Sequence, residues 1–138
     1  MEIKVVLDRD AKMPTKAHEA DAGFDLYTRE DGYVAPNGWY ICDTGIHMEI
    51  PKGYVGFLKS KSGLNVKFGL RGEGVIDSGY TGSIVAKIYN DTDKLYAFNK
   101  GDKVIQLVIL PIPEVELKMV DSLENTERSG NGFGSTGR

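Results

Sequence analysis

From Glu2 to Leu7 polar and apolar residues alternate at period two, as in a strand with one buried face. The same reasoning predicts strands over residues 38–50, 54–60, 83–90, 94–98, 103–111 and 114–120, and a short strand entered at Gly23-Phe24-Asp25. Turn-forming residues separate them: Asp31-Gly32, Asn37-Gly38, Pro51-Lys52-Gly53, Asp91-Thr92-Asp93 and Lys100-Gly101-Asp102. No helical periodicity is sustained, and at most a turn or two of helix is expected over residues 62–67. Many short strands with frequent turns point to an all-β sandwich or jelly roll. One run differs. Val104-Ile105-Gln106-Leu107-Val108-Ile109-Leu110 is apolar on both faces apart from Gln106, so it belongs in the core or at a subunit interface. A polar Gln106 inside it needs a hydrogen-bonding partner.

Length and charge narrow the classes. The 138 residues suit one domain with a single core, and 41% hydrophobic with 27% charged residues is an ordinary globular composition. A net charge of −3 argues against DNA or RNA binding, which favours a basic surface. One cysteine, Cys42, removes intramolecular disulfides and multi-cysteine zinc sites, and the presence of two histidines argues against a histidine-rich metal centre. With no apolar run of membrane-spanning length and no signal-peptide pattern after Met1, no membrane association and a cytoplasmic location are expected.

Glycine is the compositional anomaly: 17 residues in 138, about 12% against a usual share of about 7%. The glycines cluster in Asp21-Ala22-Gly23-Phe24-Asp25-Leu26, in Lys61-Ser62-Gly63-Leu64, from Gly72 to Gly82, and in the last ten residues. Such clusters occur where backbone approaches a ligand or adopts positive φ. No segment is a Walker A loop or a dinucleotide fingerprint. Residues 129–138 read Ser-Gly-Asn-Gly-Phe-Gly-Ser-Thr-Gly-Arg, with too little apolar surface to order alone. Fixing that arm costs on the order of 10–20 kcal/mol, which a ligand or neighbouring chain has to offset; otherwise it is a frayed tail. Its chemistry suits a nucleotide. Glycine N–H groups with Ser135 and Thr136 can meet phosphate oxygens, Arg128 can fork onto a phosphate, and Phe133 can stack on a base. Lys52, Lys59, Lys61, Lys67 and Arg71 form an acid-free stretch, either a phosphate-facing patch or a solvated basic face. Asp77 stands where the apolar Val75-Ile76 pair breaks into a turn, placed to act as a general base or to cap that turn. Asp25 could approach a metal ion or be an edge charge.

In order along the chain, these segments resemble the five motifs of the homotrimeric dUTP pyrophosphatase (dUTPase) family. The first is similar to Ala22-Gly23-Phe24-Asp25-Leu26, the second to Lys61-Ser62-Gly63-Leu64. The third resembles Gly74-Val75-Ile76-Asp77-Ser78-Gly79-Tyr80-Thr81-Gly82, the fourth Lys100-Gly101-Asp102-Lys103-Val104-Ile105-Gln106-Leu107, and the fifth runs from Arg128 to Gly137. The resemblance implies a jelly-roll-like β subunit over residues 1–128 and a flexible glycine-rich arm, residues 129–138, closing over a neighbour's site. It implies a homotrimer, each site drawing motifs from three subunits. The implied reaction is Mg²⁺-dependent hydrolysis of dUTP to dUMP and pyrophosphate, which limits uracil incorporation into DNA and supplies dUMP for thymidylate synthesis. Asp77 would activate the water that attacks the α-phosphorus, and Ser62 would stabilise the leaving group. Asp25 would hold the metal through water and Gln106 a catalytic water. Lys61, Gly63, Arg128, Gly134, Ser135 and Thr136 would line the phosphates. The backbone of Gly74, Val75 and Ile76 would read uracil, Tyr80 would lie under the deoxyribose, and Phe133 would stack on the base.

Lys61 and Lys103 stand where the family usually has arginine, and Ser129 where the arm commonly has glycine. Lysine keeps the charge and loses the planar fork, which bears on phosphate geometry and subunit contacts. Two rival readings remain open. One is a dCTP deaminase of the same fold; the other is a nucleotide-sensing protein with a regulatory partner, as in some phage members of the family.

Overall fold

The computed structural model describes residues 1–137; Arg138, the end of the predicted arm, lies outside them. The body is all-β and jelly-roll-like. Its eleven strands are β1 (Val5–Leu7), β2 (Gly23–Tyr27), β3 (Gly32–Val34), β4 (Trp39–Asp43), β5 (Ile46–Met48), β6 (Tyr54–Lys59), β7 (Leu70–Arg71), β8 (Glu73–Ile76), β9 (Val85–Asn90), β10 (Tyr96–Phe98) and β11 (Lys103–Pro111). One helix, α1 (Ser62–Phe68), stands where a turn or two is expected. All pairings are antiparallel. The largest sheet runs β2-β11-β6-β8, a second runs β4-β9-β7, and two-stranded ribbons β1-β5 and β3-β10 complete the shell.

Between the sheets Leu26, Val34, Ile46, Leu58, Ile88, Phe98, Ile105 and Leu107 are buried, so the alternating residues of the strands face one core. The double-faced run forms β11, central in the largest sheet, between β2 and β6. Its first half is buried, but Val108 and Ile109 are only half-buried and Leu110 is exposed, so the second face is open within one chain.

Three departures from the pattern have local causes. The predicted 38–50 strand divides into β4 and β5, because Gly45 takes φ +67° and Thr44 turns to bond Ile84. The two- and three-residue strands β3 and β7 are too short to carry a periodic signal. The predicted strand 114–120 does not form. Val115, Leu117 and Met119 alternate with Glu114, Glu116 and Lys118, but among the described residues no strand pairs with them, and Leu117 and Met119 are 93% and 97% exposed. After the bond from Ile112 N–H to the Gly53 carbonyl, the described residues to 137 lie outside the body. Among the described residues no helix is long and apolar enough to cross a membrane.

Candidate functional site

Asp25 sits in the middle of β2, 6% exposed, with Gln106 of β11 directly opposite and Lys59 of β6 beyond it. The carboxylate accepts from Lys61 on one oxygen, and Lys103 Nζ lies 3.0 Å from the other. Burial works against its charge, but the hydrogen bonds and positive charge of the two lysines outweigh it. Together they hold the carboxyl below the usual carboxylate range. Lys103 reaches this point through a bulge. Ile105, Gln106 and Leu107 pair regularly with Leu26, Asp25 and Phe24, whereas Lys103 pairs with Tyr27 after a one-residue shift. The extra residue turns Lys103 onto the Asp25 face, which a strictly alternating strand would deny it.

Gln106 has the partner that its position demands: its Nε2 donates to the Ser60 carbonyl at 3.0 Å. Gly23 lets the side chain lie close, since a Cβ there would collide with Gln106 Oε1. Ser60 Oγ in turn bonds both backbone groups of Gly72, at 3.0 and 3.1 Å, fixing the path into α1 and β8. Lys61 is the last extended residue before α1, and Ser62 and Gly63 are exposed in its first turn. Open space surrounds Gly63 where a Cβ would point. Asp25, Lys61, Ser62, Gly63 and Gln106 are therefore one neighbourhood, to which Ser60 and Lys103 add contacts that sequence motifs do not report.

The third motif lies elsewhere. Gly74, Val75 and Ile76 are in β8, with Val75 60% exposed, and Asp77 and Tyr80 form the exposed turn beyond it. Among the described residues the Asp77 carboxylate accepts no hydrogen bond, and only its backbone carbonyl does, from Tyr80 N–H at 3.2 Å. The turn-capping role is thus not taken by the side chain. Tyr80 Oη donates to the Ser83 carbonyl at 3.0 Å. Glu73 pairs with Lys59 in the same transverse row as Asp25, and Asp77 is four residues further along. Three strand spacings across and four residues along put Asp77 roughly 20 Å from Asp25, measured along the sheet.

Arg128, Phe133, Gly134, Ser135 and Thr136 meet neither cluster. Every hydrogen bond of residues 126–137 stays within that segment, such as Arg128 Nε to the Asn131 carbonyl at 2.9 Å, and Phe133 is fully exposed. The basic stretch is not one face either: Lys59 pairs with Glu73 at 3.9 Å, Lys61 with Asp25, and Arg71 with Asp91 at 2.7 Å. Among the described residues no group of three or more His, Cys, Asp or Glu side chains converges to hold a metal ion.

The family model described as dUTPase matches residues 9–137. The deoxyuridine 5'-triphosphate nucleotidohydrolase of Kluyveromyces lactis is 43% identical over 131 residues, covering 94% of this chain and 88% of the relative. The dUTPase of Staphylococcus bacteriophage 80alpha, solved with dUpNHpp, is 34% identical, with a TM-score of 0.92 over 99% of both chains. A variant dUTPase of S. aureus phage phi11, solved with a structural Mg(II) ion, is 32% identical, with a TM-score of 0.83 over 91% of this chain and 100% of that one.

Proposed function

The chain belongs to the dUTPase family, and on that premise we propose that it hydrolyses dUTP to dUMP and pyrophosphate at sites shared between copies in a homotrimer. The observation that carries the shared site is the separation within one chain. Among the described residues, the Asp25–Lys61–Gln106 cluster, the Asp77 turn and the arm belong to three regions with no hydrogen bond between them. A neighbour's turn beside the cluster, and a third copy's arm across both, would reunite them. The exposed, alternating 114–120 segment supports this, because its backbone groups and apolar face await a partner.

The Asp77 carboxylate, which accepts no hydrogen bond among the described residues, accepts a proton from a water whose oxygen attacks the α-phosphorus. The bond from that phosphorus to the α,β-bridging oxygen breaks, and pyrophosphate leaves. Ser62 Oγ donates toward the charge developing on the bridging oxygen, and Gln106 and Asp25 hold waters. Lys61, Arg128, Ser135 and Thr136 grip phosphate oxygens, with Gly63 and Gly134 leaving room for them. The backbone of Gly74, Val75 and Ile76 reads the uracil edge, and a 5-methyl group would clash there. Tyr80 lies under the sugar, and Phe133 closes on the base and excludes water.

The residues fit Mg²⁺ carried by the triphosphate: both Asp25 oxygens already face lysines, so the carboxylate would hold the ion through water. When bound, the ion neutralises charge on the phosphates. Removing dUTP would limit uracil incorporation into DNA, and the dUMP formed would feed thymidylate synthesis.

The test is pyrophosphate release with and without Mg²⁺ from dUTP, dTTP, dCTP and UTP, with ammonia followed in parallel. Turnover is expected for dUTP alone, and ammonia from dCTP would instead identify a deaminase. Asp77→Asn is expected to lower kcat by about 10³-fold or more with nucleotide binding retained. Substantial residual turnover would remove Asp77 as the base.

A further inference from the structure

His47 of β5 has an acceptor at each ring nitrogen. Nδ1 lies 2.7 Å from the Thr81 carbonyl oxygen, and Nε2 lies 3.0 Å from Asp8 Oδ2. A backbone carbonyl and a carboxylate offer only lone pairs, so both contacts are hydrogen bonds only when both nitrogens carry protons. A neutral ring can satisfy one of them and turns a lone pair toward the other. We propose that His47 is a positioning residue for the hydrolytic site: as an imidazolium it ties the Asp77–Tyr80 turn, through Thr81, to the β1–β5 ribbon. The inference rests on the function proposed above, in which that turn supplies the base and the sugar contact.

The location makes the tie consequential. Before the turn, β8 is held by its ladder to β6; after it, Ser83 bonds Asp43, and Ile84 N–H donates to the Ile46 carbonyl at 2.8 Å. Between these anchors the tip over residues 77–82 is stabilised by bonds that stay local, from Tyr80 N–H to Asp77 and from Tyr80 Oη to Ser83. Among the described residues, His47 is the one side chain outside the turn that hydrogen-bonds the tip. A rotation at Thr81 would move Tyr80 and Asp77 with it.

The surrounding charges favour the cation. Asp8 bonds the ring directly, and the negative charge of Asp43 of β4, itself engaged by Ser83, the Gly45 N–H and Arg29, adds to its effect. The Lys4–Glu49 ion pair, 3.7 Å, borders the same opening with Val6 and Met48. The hydrogen bond to Asp8 and then that to the Thr81 carbonyl raise the ring's pKa above the ordinary histidine value, against a smaller opposing effect of desolvation. The sign follows. With the folded pKa raised, the tie is complete below about pH 6.5 and is lost as pH rises through the higher folded value.

The experiment pairs ring NMR with kinetics on the full chain. In ¹⁵N-labelled protein the His47 ring is expected to carry two N–H protons and to titrate above pH 6.5, and Asp8→Asn is expected to move that titration down. The KM for dUTP should rise about five-fold across the wild-type titration, the weight of one hydrogen bond. In His47→Gln, which donates one bond at any pH, that rise should vanish. In Asp8→Asn it should move to lower pH. Ionisation of the substrate's phosphates is common to all three proteins and cancels in the comparison. A ring titrating at or below pH 6.5, or KM profiles of both variants superimposing on the wild type, would overturn the proposal. Absence of dUTP turnover at every pH would sink the proposed function instead, and the ring titration would then judge the His47 contact on its own.

Discussion

Asp25 holds two cations on one buried carboxylate, and that arrangement sets its pH dependence. Its folded pKa is depressed, so the stabilisation it provides is present above the ordinary carboxylate range and lost as pH falls through the lower folded value. Asp25→Asn would leave Lys61 and Lys103 facing each other without a counter-charge. We expect the variant to lose about 2 kcal/mol at pH 7 in urea unfolding. The gap to wild type should narrow below about pH 4, as the wild-type carboxylate protonates. A constant gap down to pH 2 would show that the ion pairs are not its source. From their neighbours in sequence, Gln106 is legible as a residue that needs a partner and Asp25 as a candidate for the site. Lys103 stands in the fourth motif, but its place beside Asp25 is not legible, because strict alternation puts it on the face opposite Gln106 and only the bulge turns it back. Cys42 is legible as a lone thiol. Burial pushes its pKa up to about 11, so it should resist alkylation in the native state and react after unfolding, as a thiol-reagent time course would show.

At the scale of elements, the alternation that marks the body strands also marks residues 114–120, yet only the body strands pair. Periodicity reports which face of a segment seeks burial, not whose surface buries it. Ile112, Val115, Leu117, Met119 and Leu123 are all exposed in one chain. Leu117→Glu should therefore weaken assembly, by about 2 kcal/mol per buried side chain, and shift sedimentation toward monomer at low concentration while circular dichroism of the body is unchanged. An assembly as tight as wild type would place this segment outside the interface. Deleting residues 129–138 is a separate matter. The hydrogen bonds of the described part of this arm reach no further than Thr126 and Arg128, so assembly should persist while turnover falls by about 100-fold or more; a fully active truncation would refute the lid role of the arm.

On the proposed function, the site exists only at the scale of the assembly. Each chain carries segments resembling all five motifs, and its own fold holds the Asp25 cluster, the Asp77 turn and the described part of the arm apart. Co-refolding Asp77→Asn with the arm-deleted chain tests this directly. If base and arm come from different copies, random mixing should restore about a quarter of wild-type activity, since half of the copies at each position are intact. If each site is built from one chain, the mixture stays inactive.

Alternating hydrophobicity, turn chemistry and five ordered motifs determine, without coordinates, an all-β body and the family, and they single out the residues proposed above to carry its chemistry. These are local signals, set by which atoms lie within a few residues of one another. What only the tertiary structure decides is adjacency. Strand register places Asp25, Gln106 and Lys59 in one row, a bulge adds Lys103, and packing brings His47 to Thr81 across thirty-four residues of chain. It also separates Asp77 from Asp25 and leaves the last 25 described residues without a surface of their own. Contacts between segments distant in sequence depend on how the sheets close around the core, and no local pattern encodes that closure.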